Sequence, residues 1–437
     1  MFLQKIIEFF KDISLWRGVT AKVIGGIILA ALGLLWWYFK RKPDTTAASD
    51  PVKIKMGRNS VPQTAVGDNV HQEVKIDKSR SPSGGVYIER VEPGATVNIN
   101  VIDYQDGVSK AEKSEVREFF QKALAHYAKK EFEEAIKDFA NCLELEEDSE
   151  KRGALNLQIG NCYYEQQMYT KAAEFYAAGL RESRKAKDSQ GEASNLGSIA
   201  NTYMLRPASS GAVRGDNVRK AVEHYNSALK IFKKDEYPVK YALIQNNLGT
   251  AYTDLPSATA EEKARNVRAA IDCYRAALEI YKKDEYPVEC AATQNNLGNA
   301  YTNLPSATAE ERAKNVRAAI DCYRAALEIR KKDEYPVEYA MTQNNLGNAY
   351  ADLPAATAEE RAKNVRAAID CYRSALEIRK KDEYPQYYCQ TAANLGLALA
   401  SINNPDACYW LKEAYALREY LEDQGKRLEE VIRQICK

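Results

Sequence analysis

The chain has 437 residues, 45% of them hydrophobic, and its 62 basic and 61 acidic side chains leave a net charge of +1. That balance offers no basic face for a phosphate backbone, so no nucleic-acid partner is expected. Three histidines (His71, His126 and His224) and the absence of Cys-x-x-Cys, Gly-x-x-x-x-Gly-Lys-Ser/Thr and Gly-x-Ser-x-Gly motifs leave no expectation of a metal, a cofactor or an enzymatic activity.

Residues 1–22 open with "MFLQKIIEFFKDISLW". Helical spacing puts Phe2, Ile6, Phe9, Ile13 and Trp16 on one side, and Gln4, Glu8, Lys11 and Asp12 on the other. The segment reads as an amphipathic helix in the membrane interface, or as a helical extension of the adjoining apolar run. Residues 23–39, "VIGGIILAALGLLWWYF", are seventeen uncharged residues, at the short end of a bilayer span. Trp36, Trp37 and Tyr38 followed by Lys40, Arg41 and Lys42 give the aromatic and cationic flank of a single-pass transmembrane helix. A cleaved secretory signal is the alternative. Against it stand the charged region of over twenty residues before the run and the poor lead of "WWYFKRK" into a cleavage site.

Four basic residues precede the span within 1–22, and six follow it within 40–60. The positive-inside rule therefore places the C-terminal bulk of the chain on the cytoplasmic side. Nine cysteines, an odd number, fit a reducing compartment, with Cys273, Cys322 and Cys371 repeating one position. Copies of one position on stacked hairpins lie a helix-packing distance apart, beyond disulfide reach, and read as buried small hydrophobes.

Residues 40–110 read first as linker, "KPDTTAASDPVK". Then "VHQEVKID" and "GGVYIERVEPGATVNINVID" alternate polar and apolar residues at period two between Pro/Gly turns. They read as a small β-rich element capable of self-association, or as an extended linker of strand-like composition.

From residue 113 to 437 the chain repeats itself. "QNNLGTAY" at Gln245 returns as "QNNLGNAY" at Gln294 and Gln343, and Tyr203, Tyr252, Tyr301 and Tyr350 share a period of 49. A fixed period of this size means a stacked array. Each copy holds two helical segments. The first, about Pro287 to Leu304, puts Ala291, Leu297, Ala300, Tyr301 and Leu304 on one side, with proline at its first position. The second starts at a Thr-x-x-Glu capping box (Thr308/Glu311, repeated at Thr259/Glu262 and Thr357/Glu360). It buries Val316, Ala319, Ile320, Tyr323, Ala326, Leu327 and Ile329. Leu304-Pro305 separates the two.

This hairpin resembles the tetratricopeptide repeat. Leu297, Gly298 and Tyr301 match its first helix; Ala319, Tyr323 and Ala326 match the small, aromatic and small positions of its second. Gly298 and Ala319 stand where the helices approach. The resemblance covers roughly residues 113–420 and departs from the usual 34-residue length, by extra residues in the turn and in the "KKDEYP" connection. This long variety looks like bacterial arrays often joined to signalling ATPase or caspase-like peptidase domains, whose motifs the sequence lacks. About seven repeats are expected, closed by the polar-faced "YLEDQGKRLEEVIRQICK". The fold class is all-α: a solenoid of helical hairpins preceded by a transmembrane helix and a small β-rich linker.

The resemblance further implies that first helices line a concave groove. Asn247, Asn296, Asn345 and Asn394 form one column facing it, and Asn161, Asn201, Asn299 and Asn348 a partial second. An amide supplies both donor and acceptor and grips a peptide backbone without reading its side chains. These residues alternatively brace neighbouring hairpins, copied by duplication. Asn246, Asn295 and Asn344 stand where some members carry a clamp lysine. The expected function is a membrane-tethered scaffold that binds a protein or peptide partner; the alternative is a self-assembling membrane-associated homo-oligomer.

Overall fold

The structure is a computed structural model that describes residues 55–57, 71–73, 110–420 and 424–436. The expected amphipathic helix (1–22) and membrane span (23–39) lie outside the described residues. Among the described residues no helix is long and apolar enough to cross a membrane. Strands β1 (Lys55–Gly57) and β2 (His71–Glu73) pair antiparallel, with Met56 opposite Gln72. β2 falls inside the first strand-like segment and β1 in what reads as linker; the second strand-like segment lies outside the described residues.

Seven helical hairpins come next in the chain. They are α1 (Lys110–Ala128) with α2 (Phe132–Leu145), α3 (Ser149–Glu165) with α4 (Tyr169–Ala186), and α5 (Ser189–Leu205) with α6 (Gly211–Leu229). Then come α7 (Pro238–Asp254) with α8 (Ala260–Leu278), α9 (Pro287–Asn303) with α10 (Ala309–Ile329), α11 (Pro336–Asp352) with α12 (Ala358–Leu376), and α13 (Pro385–Ser401) with α14 (Ala407–Ala416). A short 3₁₀ turn (Arg418–Tyr420) leads to α15 (Gln424–Ile435), which packs Leu428, Val431 and Ile432 against the last hairpin.

Six of the seven hairpins close over one buried aromatic ring, and the last closes over Leu411. A Cβ built on Gly298 would lie 2.6 Å from Tyr323 Cε1, so only glycine lets α9 lie against that ring. Ala319 and Ala326, fully buried one turn to either side of Tyr323, complete the close contact. Thr308 caps α10 by accepting from Glu311 N at 3.1 Å, while Glu311 Oε2 accepts from Ala307 N at 2.8 Å. The capping box thus closes on the residue before the cap rather than on the cap itself. Behind it, Asn315 donates to Ser306 Oγ at 3.1 Å and holds the Pro-Ser-Ala-Thr turn against the helix.

The repeated cysteine seals the joint between hairpins. Cys322 of α10 joins the cluster of Val267, Ile271, Tyr274 and Leu297, and Cys371 of α12 joins that of Val316, Ile320, Tyr323 and Leu346. Seven cysteines are free and buried, and burial pushes the thiols of Cys142, Cys162, Cys273, Cys322 and Cys371 up to about 12. Cys408 and Cys436 depart from the sequence reading. They form a disulfide, Cα–Cα 5.5 Å, that ties α14 to the end of α15. At the outer edge exposed lysines of the "KKDEYP" connections reach the next repeat, as in Lys283–Glu328 at 2.7 Å.

Candidate functional site

Three successive first helices, α7, α9 and α11, line a groove with a cavity of about 840 Å³. Four of the sequence-predicted residues are in its wall: Asn296, Asn299, Asn345 and Asn348. Asn201 and Asn247 line a smaller recess beside it, with Ser194, Ser198 and Phe232. Asn394 is half-buried on α13, whereas Asn161 on α3 is buried.

The asparagines are wired to each other. In the second column, Asn299 Oδ1 accepts from Tyr323 Oη at 2.7 Å and from the next repeat's Asn345 Nδ2 at 3.2 Å. Asn348 Oδ1 does the same with Tyr372 Oη at 2.8 Å and Asn394 Nδ2 at 3.0 Å. Asn201 accepts from Tyr225 Oη at 2.5 Å and Asn247 Nδ2 at 3.2 Å, and Asn161 from Tyr176 Oη at 2.9 Å. Asn296, whose second-column neighbour is replaced by Thr250, turns instead to Asn246 Oδ1 at 3.4 Å. A buried phenol without a partner is costly, and these amides satisfy it.

The ends of the array show what that second column is for. At the first hairpin the ring is Phe139 and the position after Ala123 is Leu124; at the last, Leu411 stands in the ring position and Leu397 follows Gly396. Where the hydroxyl goes, the asparagine goes with it. The second column therefore braces the hairpin core, a role that sequence spacing leaves open and this paired loss reveals. Bracing still uses only half of each amide. Nδ2 of Asn299 and Asn348 and Oδ1 of Asn296 and Asn345 have no partner among the described residues, leaving donors and acceptors on the groove wall.

A third set lies deeper. Asn295 and Asn344 are each 3% exposed. Asn246 Oδ1 accepts from Thr293 at 3.2 Å, Asn295 Oδ1 accepts from Asn345 at 3.3 Å, and Asn344 Oδ1 has no partner among the described residues. Arg330 and Arg379 are each 7% exposed, donating to Thr342 Oγ1 at 2.9 Å and Thr391 Oγ1 at 2.8 Å. Burial lowers both guanidinium pKa values, that of Arg379 to about 10. The sequence reading of "RKKDEYP" as charges offset by acids misses Arg330, which turns inward while its lysines stay out. Its signal is that Phe232 and Tyr281 hold the same position in the preceding copies.

The groove's rim carries ion pairs between repeats. Arg214 Nη2 meets Asp254 at 2.9 Å and Arg312 Nη2 meets Asp352 at 2.8 Å, while Arg312 Nη1 donates to the Thr302 carbonyl at 3.2 Å. Away from the groove, His126 Nδ1 lies 3.0 Å from Asp138 Oδ2, and His224 stacks on Tyr203 with its pKa lowered by burial. No group of three or more His, Cys, Asp or Glu side chains placed to hold a metal occurs among the described residues.

No protein-family model matches the chain, and no curated protein matches it. Among solved structures it is similar to the C-terminal part of a TPR repeat-containing protein from Cytophaga hutchinsonii (14% identity, 69% of this chain and 98% of that one, TM-score 0.43). It is also similar to the apo form of RapI (14%, 70% and 99%, 0.45). A third is YrrB, described as a TPR protein with an unusual peptide-binding site (16%, 55% and 92%, 0.34). The residues that carry the sequence resemblance pack here as that repeat requires, glycine and two alanines around one ring. The hairpin array is consistent with a tetratricopeptide-repeat protein.

Proposed function

We propose that this tetratricopeptide-type array is a membrane-tethered scaffold that holds an extended segment of a partner polypeptide in the groove of α7, α9 and α11. One observation carries the reading: the amides of Asn296, Asn299, Asn345 and Asn348 line a cavity of about 840 Å³ with half of their hydrogen-bonding capacity unused. A peptide backbone brings alternating N–H and C=O groups. Free Oδ1 atoms on one column and free Nδ2 atoms on the other match that alternation without selecting side chains. In this proposal the segment 23–39 is the tether, and the excess of basic residues on its C-terminal side supports an array facing the cytoplasm.

The test uses the full chain in detergent. Asn296→Ala/Asn345→Ala removes two free acceptors and leaves the tyrosine braces intact. Capture of a heterologous polypeptide by the native chain and its loss in the folded double variant is the expected result. Self-association as the only interaction, unaffected by the substitutions, points instead to a homo-oligomer.

A further inference from the structure

The rim ion pairs keep a register of forty residues, from the first turn of a second helix to the end of the next first helix. Arg214 meets Asp254 and Arg312 meets Asp352. In the copy between them the register places Lys263 opposite Asn303. Both line the same cavity. Lys263 is exposed in the first turn of α8, where a cation opposes the helix dipole, and it has no ion pair among the described residues. Both acids of this wall are already held, Asp254 by Arg214 from outside the lining and Asp352 by Arg312 within it. One unmatched cation therefore stands in the groove. Around it the unused groups include the Nδ2 donors of Asn299 and Asn348 and the amide of Asn303.

We infer that the middle of the groove is a seat for a carboxylate side chain of the bound polypeptide, held by Lys263 Nζ and the Asn303 amide. The inference rests on the groove binding a polypeptide and adds what that polypeptide carries. Lysine and an amide together supply only donors to a carboxylate, and the surrounding backbone contacts fix its register. The position is built by breaking a pair its neighbours keep. Replacing Asn303 by the aspartate found at 254 and 352 would fill the seat from within.

The experiment pans phage-displayed random decapeptides on the full chain, on Lys263→Met and on Asn303→Asp. Peptides recovered on the native chain should be enriched in Asp or Glu at one position by about three- to fivefold, the upper range for an incompletely buried ion pair. Both variants should still recover peptides, without that enrichment, and Asn303→Asp should melt no lower than the native chain. Acid enrichment absent on the native chain, or equal on Lys263→Met, overturns the seat while leaving the groove. Recovery of no peptides on any of the three overturns the groove reading and the seat with it.

Discussion

Asn299 is shared by two neighbours, and its substitution separates brace from grip. Its Oδ1 takes one bond from Tyr323 and one from Asn345. Asn299→Ala takes the 2.7 Å acceptor from the buried phenol, leaving it only Thr302, and should cost about 1–3 kcal/mol, whereas Tyr323→Phe removes the donor itself and should cost about 0.5–1.5 kcal/mol. Asn299→Leu with Tyr323→Phe copies the Leu124/Phe139 pair of the first hairpin. It should lose less than the two single effects added, a coupling that denaturant melts of the four chains measure directly. Additive losses would contradict the brace. This pairing was legible in the sequence only across repeats, because a single asparagine beside a glycine says nothing about which ring it serves.

At the scale of the helix pair, the closest approach is the most sensitive point. Glycine to alanine inside a helix ordinarily gains about 1 kcal/mol from propensity. At Gly298 the added methyl meets Tyr323 at 2.6 Å, so Gly298→Ala should instead destabilise by about 1–3 kcal/mol. A higher melting temperature would mean that the ring has room to move. Thr308→Ala tests the other end of the hairpin and should cost about 0.5–2 kcal/mol through the lost cap. Hairpins, caps and the Leu-Pro breaks were legible because each is a local rule repeated every 49 residues. Arg330 was not, since a cation in a "RKKDE" run looks solvated until the packing of α10 on α11 turns it inward.

For the whole molecule, buried thiols and phenols make stability depend on alkaline pH. Five thiols are raised from 9.0 to about 12, and Tyr274 is raised from 10.0 to about 12. The folded state keeps these protons while the unfolded chain releases them, so their contribution is complete below pH 9 and is lost as pH rises towards 12. Melting temperature should fall steadily above pH 9, and a flat profile from pH 9 to pH 11 would contradict the burial described. The Cys408–Cys436 bridge gives a second global readout. Alkylation of denatured chain from cells should modify nine thiols if the array sits in the reducing cytoplasm, because the bridge is then open, and seven if it does not. The last hairpin's departure from the amide ladder was visible in its leucines; the bridge was not, since cysteines 28 residues apart meet only once α15 folds back on α14.

Site-specific photocross-linking reports whether a partner polypeptide lies in the groove. A photoreactive residue replaces Thr253 on the groove wall in one full-length chain, and exposed Arg268 of α8, outside the cavity lining, in another. Illumination in cells should join a heterologous polypeptide to the Thr253 position and leave Arg268 without that adduct. The same adduct from both positions, or from Thr253 only a second copy of this chain, would contradict it.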